Sequence, residues 1–262
     1  MGSLLSETIA SVEAVYNPAL HEVIVVDDGS TDEATKEVLG KLTGHTVLHK
    51  NNGGLASARN AGIAVSKSDF LLFLDADNLL TDGYLTKGIK ILQQQPEVDI
   101  VYGESEFFGN EGGLWFTKAF NLQTLMSFNY IDACTLVRKR LFDDIGGFDE
   151  NMPVMGMEDW EMWLRASFHQ KKFYYLEGVI IQKYRVRSNS MIRVVQKKNR
   201  DAVYEYLQKK YPRYLNFSEM DDYYYKKFHD QTAGWTAKLF IKKYLPSIYQ
   251  RLLKKGKISR YL

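Results

Sequence analysis

Hydrophobic residues along the first eighty or so positions alternate between helical and strand spacing. In residues 4–16, Leu5, Ile9, Val12 and Val15 or Tyr16 recur at helical spacing and predict a helix that Asn17-Pro18 stops. Residues 22–26 are a near-continuous apolar run ending in Asp27-Asp28-Gly29-Ser30. Such a run predicts a buried parallel strand feeding a turn. Thr31 or Asp32 is placed to cap a helix to about Leu42. A short strand at 46–49, the turn Asn51-Asn52-Gly53-Gly54 and a helix over 54–66 follow. The run 70–74 predicts the next buried strand, ending in Asp75-Ala76-Asp77.

Strand–loop–helix units in succession predict an α/β fold with a doubly wound sheet. Ligands of such sheets sit beyond the carboxyl ends of the strands, where both acidic clusters fall. After about residue 100 the rhythm changes. Short strands, glycines and aromatics over 99–137 suggest a mixed sheet, followed by a helix at 158–169 and strands near 172–185. From 194 onward the chain reads as mostly helical, with Pro212 and Pro246 as breaks. This divides it into a domain over 1–193 and a helical extension over 194–262.

Composition sharpens that division. The 262 residues carry a formal net charge of +2, but the part from Val195 onward is net +10 and the remainder net −8. An acidic unit joined to a basic arm suggests two separate tasks. Apolar content is ample for a core, which excludes disorder as the main state. The single cysteine, Cys134, leaves no intrachain disulfide or cysteine-built zinc site, and its apolar surroundings predict a buried core residue. No apolar run has the length of a membrane span, and the opening residues do not read as a secretory signal. Cytoplasmic residence is the default expectation.

The polar residues at the strand ends supply the candidate chemistry. Asp75 and Asp77, two residues apart after a buried strand, can share a divalent cation, since Mg²⁺ and Mn²⁺ bind through one or two carboxylates plus phosphate oxygens. A bare pair of this spacing is more often a solvated turn; its place after FLLFL favours function. Asp27 and Asp28 suit hydrogen bonds to a base or ribose, although alone they read more readily as a strand-to-helix turn with a capping Asp. Arg59, on the helix after the glycine pair, faces the same end of the sheet or is an ordinary surface arginine. Glu158-Asp159 reads alone as an acidic helix start complementing the macrodipole. Trp163 is assigned to the core; Trp160 packs in the core or walls a sugar pocket.

Together the strings VIVVDDGSTD, NNGGLASARNAG and FLLFLDADN resemble family 2 glycosyltransferases of the GT-A fold, in family order and spacing. IGGFDENM, MEDWEMWLR and YRVRSNSM extend the resemblance over about residues 4–193. The resemblance implies a nucleotide-sugar donor, a divalent metal (Mn²⁺ or Mg²⁺) and inversion at the anomeric carbon. It places Asp27 and Asp28 at the base or ribose, Arg59 at the nucleoside and Asp75 near the ribose. Asp77 becomes the main metal ligand. Asp159 becomes the catalytic base, with Glu158 beside it.

Two departures from the family pattern stand out. Many members carry a histidine in the closing segment that completes the metal site; here Arg187 stands at about that point. A guanidinium does not ligate a metal, but it can neutralise a diphosphate. Family members also open with an apolar strand, whose place is between the strands at 22–26 and 70–74. This chain opens at the helix, so the expected GT-A mixed sheet lacks the family's first β-strand. A longer natural chain, another segment filling the gap, or closure of the flanking strands would each account for that.

In the extension, apolar Trp235, Leu239, Tyr244, Leu245, Ile248 and Leu252 interleave with Lys238, Lys242, Lys243 and Arg251. That pattern suits an anionic membrane surface, or a helix packed on the main domain with a solvated lysine face. No nucleic-acid motif accompanies the charge. The expected function is an inverting, metal-dependent glycosyltransferase acting on a glycan or lipid-linked acceptor in surface polysaccharide or glycolipid synthesis, peripheral to the membrane, with oligomerisation left open. The alternative is a truncated or crippled relative that binds a partner or a membrane. A nucleotidyltransferase is disfavoured, because no glycine-rich basic loop for a triphosphate lies near the start.

Overall fold

The computed structural model describes residues 2–187, 191–215, 241 and 245–254, with the side chains of 191–200 and a few in the last helix left out. It comprises α1 (Gly2–Glu13), β1 (Ile24–Asp27), α2 (Glu33–Lys41), β2 (Thr46–His49), α3 (Gly54–Val65), β3 (Phe70–Leu72), β4 (Leu79–Leu80) and α4 (Tyr84–Gln94). Then follow β5 (Ile100–Gly109), β6 (Gly113–Leu114), α5 (Leu122–Ser127), β7 (Leu136–Arg138), α6 (Arg140–Ile145), α7 (Glu158–Phe168), β8 (Phe173–Val186), α8 (Met191–Lys210) and α9 (Pro246–Lys254). Up to residue 215 the elements foreseen from periodicity are found, with ends shifted by a few residues, and most of the helical expectation beyond that point lies outside the described residues. Asp32 is the cap of α2, its Oδ1 accepting from the Thr35 backbone N–H at 3.0 Å. The strands near 172–185 form one continuous strand.

The sheet is divided. β1 pairs in parallel with β2 alone, while the larger sheet runs β3-β7-β5-β8-β4, with β6 on β5. β5 and β8 are parallel and the other pairs antiparallel, which makes it a mixed sheet. Among the described residues no ladder joins β1 to β3. The expectation of fully buried strands here needs correction: every residue of β1 and β3 is only half-buried, because each strand ends its sheet and lacks a neighbour on one side. Helices span the division. Leu5 and Ile9 of α1 pack with Val25 and Val47, while Val12 and Val15 pack with Phe70, Leu72 and Leu74. The division falls between the two strands where the resemblance places the family's first strand.

The core lies against the larger sheet. It gathers Ile100 and Tyr102 of β5, Val137 of β7, and Trp160, Met162, Trp163 and Leu164 of α7. Trp160 is buried and its Nε1 donates to the Leu125 carbonyl at 2.6 Å; the Trp163 Nε1 donates to the Ile131 carbonyl at 3.0 Å. Both indoles are therefore core residues, which settles the two readings of Trp160. They fasten α5 and the segment after it to α7. Cys134 is buried, as expected.

A buried ionic cluster fixes α7 from its other side. Glu161, with no exposed surface, accepts from Arg165 at 3.1 and 3.0 Å, from Lys210 Nζ at 2.8 Å, and from the Tyr211 hydroxyl. Lys210 and Tyr211 lie at the end of α8, so this carboxylate pins α8 to α7. Truncating one member of a buried ionic cluster leaves uncompensated charge, typically at a cost of about 3–5 kcal/mol. Glu161→Ala is expected to lower the unfolding free energy by about that much, read from urea denaturation midpoints. A change under about 1 kcal/mol would show that the cluster behaves as a surface ion pair.

Candidate active site

The site is built where β3, α3 and α7 converge. Arg59, on the second turn of α3, donates from Nη2 to Asp75 Oδ1 at 2.9 Å and from Nη1 to Glu158 Oε1 at 2.7 Å. Its guanidinium lies 5.3 Å from the centre of the Phe148 ring. Burial opposes its charge, but Asp75, Glu158 and Asp159 outweigh that and hold it protonated. Glu158 is buried at the first position of α7, and its other oxygen accepts from the Gly156 backbone N–H at 2.7 Å. Three segments far apart in sequence thus meet on one guanidinium.

Asp159 lies beside them, buried. The Asn129 amide donates to its Oδ2 at 2.9 Å and the Trp160 backbone N–H to its Oδ1 at 2.7 Å. Burial, with Glu158 and Asp132 nearby, pushes its carboxyl well above the usual range despite the opposing charge of Arg59. It is a carboxylate that holds its proton unusually tightly.

The Asp75–Asp77 loop is clamped from two directions. Arg185 of β8 donates from Nε to the Asp77 carbonyl at 2.8 Å and from Nη2 to Glu7 of α1 at 2.6 Å. Its backbone N–H donates to Asn78 Oδ1 at 2.9 Å. From α1, the Thr8 hydroxyl donates to the Asn78 carbonyl at 2.8 Å, and Ser11 Oγ accepts from the Leu80 N–H at 3.0 Å. Arg187 Nη2 sits 2.8 Å from Asp77 Oδ2. Burial and Asp75 push the Asp77 carboxyl up, and Arg187 and Arg185 pull it back in part.

Asp27 and Asp28 are spent on their own neighbourhood. Asp27 accepts from the Ser30 N–H at 2.9 Å and lies 2.9 Å from His49 Nδ1. Asp28 accepts from the Gly54 N–H at 2.7 Å, the Gly53 N–H at 3.0 Å and Lys50 Nζ at 2.6 Å. Burial raises both carboxyls, but these bonds win and both lie below the ordinary value. Asp28 thereby ties β1 to the start of α3, where Gly54 takes the left-handed conformation at φ +84°. The structure thus joins Arg59, Asp75, Glu158 and Asp159 in one cluster and pairs Asp77 with Arg187. It keeps Asp27 and Asp28 on the smaller sheet.

Sequence reading missed Asn129, Asp132, Gln182 and Arg185. Asp132 and Gln182 left one faint signal, a polar residue inside an apolar run. The Asp132 Oδ1 accepts from the Gln182 amide at 2.6 Å and the Cys134 N–H at 2.7 Å. Burial and the Asp75 charge push its carboxyl to about 6. A carboxyl raised on folding contributes stability that is full below the unfolded value, near 4, and is lost as pH rises through about 6. Asp132→Asn is therefore expected to match wild type near pH 4 and to exceed it by about 2–3 kcal/mol near pH 8. Urea titrations across that range check this; a pH-independent difference would mean that Asp132 does not titrate as a buried group.

With this geometry in hand, relatives can be compared. A hyaluronan synthase of Pasteurella multocida is 29% identical over 216 residues, 77% of this chain and 21% of its own length. An uncharacterised glycosyltransferase of Haemophilus influenzae is 27% identical over 152 residues, 55% of this chain and 51% of its own. The chain spans about half the length of the latter and about a fifth of the former. Among solved structures, S. aureus TarS 1–349 in complex with UDP-GlcNAc superposes with a TM-score of 0.64 at 18% identity, over 83% of this chain and 65% of that one. The fold is that GT-A-like mixed α/β fold. The family model of glycosyl transferase family 2 matches residues 2–148, more than half of the sequence, and the chain belongs to that family.

Proposed function

We propose that this chain is the catalytic unit of an inverting, metal-dependent glycosyltransferase. In this reading it moves a sugar from a nucleoside diphosphate donor to a hydroxyl of a glycan or lipid-linked acceptor. The observation that carries the proposal is the Arg59 bridge from Asp75 to Glu158, with Asp159 buried alongside. It sets a proton acceptor beside a donor loop. Donors of the UDP-sugar class are supported by the TarS complex, and polysaccharide synthesis by the hyaluronan synthase relative.

Asp159 is assigned as the base. A carboxylate within hydrogen-bond reach of the acceptor hydroxyl takes its proton as the oxygen attacks the anomeric carbon. The bond from that carbon to the diphosphate oxygen breaks, and attack from the opposite face inverts the centre. A raised proton affinity suits this role, because it strengthens proton capture near neutral pH. The Asn129 amide and Trp160 N–H hold the carboxylate in one orientation. Arg59 would hold Glu158 and Asp75 in place through its two hydrogen bonds. Asp27, Asp28 and Asp75 are assigned to the nucleoside.

Asp77 is assigned to the metal. Among the described residues no three His, Cys, Asp or Glu side chains gather into a metal-binding group. A single carboxylate fits a Mn²⁺ or Mg²⁺ whose other ligands include phosphate oxygens. Such an ion neutralises the charge growing on the leaving diphosphate. Arg187, released from Asp77 when the donor enters, would meet that same charge.

The basic arm supports contact with an anionic membrane surface. Of its apolar residues, Leu245 and Ile248 are exposed, whereas Trp235, Leu239 and Tyr244 lie outside the described residues. No described helix is long and apolar enough to cross a membrane. The second reading, a relative that binds a partner without catalysis, is favoured by the division between β1 and β3 beside the proposed nucleoside site.

Asp159→Asn separates the two readings. Transfer from a UDP-sugar is expected to fall about 10²–10⁴-fold, while UDP with Mn²⁺ still raises the melting temperature of both proteins. The wild-type rate should rise with pH along an acid limb lying above the range of an exposed aspartate, and the variant should lose that limb. No thermal shift with any nucleoside diphosphate would favour the partner-binding reading.

A further inference from the structure

Asp132 has no part in the assignments above, yet it faces the same cluster. It lies in the segment between α5 and β7, which the Trp163 indole holds through the Ile131 carbonyl and which supplies Asn129 to Asp159. Asp75 and Arg59 both act on its charge, and Asp132 in turn acts on Asp159. Its segment therefore adjoins Asp159.

Its two oxygens differ. Oδ1 is committed to the Gln182 amide and the Cys134 N–H. Oδ2 takes no hydrogen bond from any described residue, and Asp132 is half-buried. Behind it, Gln182 is fully buried on β8, its Nε2 shared between Asp132 and Ser105 Oγ at 3.3 Å. The Gln182 Oε1 is a buried acceptor with no donor. Most buried polar atoms in folded proteins find a partner. Within this bonded pair, Asp132 Oδ2 is the oxygen left to accept from a hydroxyl.

We propose that Asp132, held by Gln182, binds a hydroxyl of the transferred sugar and so helps to set which sugar is accepted. This rests on the donor-site reading above. A sugar hydroxyl donates to Oδ2, while the nucleotide is held elsewhere, by the Asp27, Asp28 and Asp77 regions. No bond is made or broken at Asp132. Its carboxylate beside the anomeric centre fixes the sugar relative to Asp159. Gln182 is a positioning residue: it turns Oδ2 towards the site by holding Oδ1.

The test is calorimetric titration of the full chain with UDP and with UDP-N-acetylglucosamine, each with Mn²⁺, in wild type, Asp132→Asn and Gln182→Leu. UDP affinity should stay within about twofold of wild type in both variants. The extra affinity that the sugar brings should fall about tenfold or more in Asp132→Asn, the scale of a hydrogen bond to a charged group. In Gln182→Leu it should fall less, with KM for the sugar donor rising more than kcat falls. An unchanged sugar contribution in both variants, or an equal loss for UDP and UDP-sugar, overturns the proposal. A wild-type chain that binds neither UDP nor the UDP-sugar overturns the donor-site reading and this inference with it.

Discussion

One guanidinium organises the molecule. Arg59 reaches from α3 to Asp75 at the end of β3 and to Glu158 at the start of α7. Its side chain is only 10% exposed, so its charge would be costly without those partners. Two carboxylates contact it and Asp159 lies close enough to act on it. In turn it lets acidic groups stand together that would otherwise repel one another. Removing it would leave Asp75, Glu158, Asp159 and Asp132 without the cation they share.

The packing around Arg59 explains how such a cluster tolerates strain from every side. α7 is fixed by its indoles to the segment 125–131 and by Glu161 to α8. The Asp75–Asp77 loop is fixed by Arg185 and α1. The Asp132 carboxyl is fixed by Gln182 on β8. The anchors come from α1, α5, α8 and β8, so the charged groups are held by several elements rather than by one loop. The division between β1 and β3 lies next to this centre, bridged by helix packing rather than by backbone bonds.

Much of this was legible in the sequence because the relevant signals are local. Apolar runs followed at once by Asp27-Asp28 and Asp75-Ala76-Asp77 mark strand ends, and MEDW marks the start of a helix. The cap at Asp32 and the burial of Trp163 and Cys134 also follow from neighbouring residues. What the sequence concealed is long-range. The Arg59–Glu158 bond joins residues far apart in the chain, and nothing near Arg59 names its partner. Asp132 and Gln182 look like ordinary polar interruptions until the fold sets them together. The half-burial of β1 and β3 was hidden for the opposite reason: their composition is that of interior strands, but burial depends on which strands lie alongside.

In the proposed reading, Arg59 and Glu158 act as one unit linking the Asp75–Asp77 loop to α7. A double-mutant cycle on kcat/KM for UDP-sugar transfer, with Arg59→Met, Glu158→Gln and the pair, measures that linkage. Strong non-additivity is expected: the double variant should lose little more activity than either single one, with a coupling of about 1–3 kcal/mol. Losses that simply add would contradict it, showing that the two residues contribute independently.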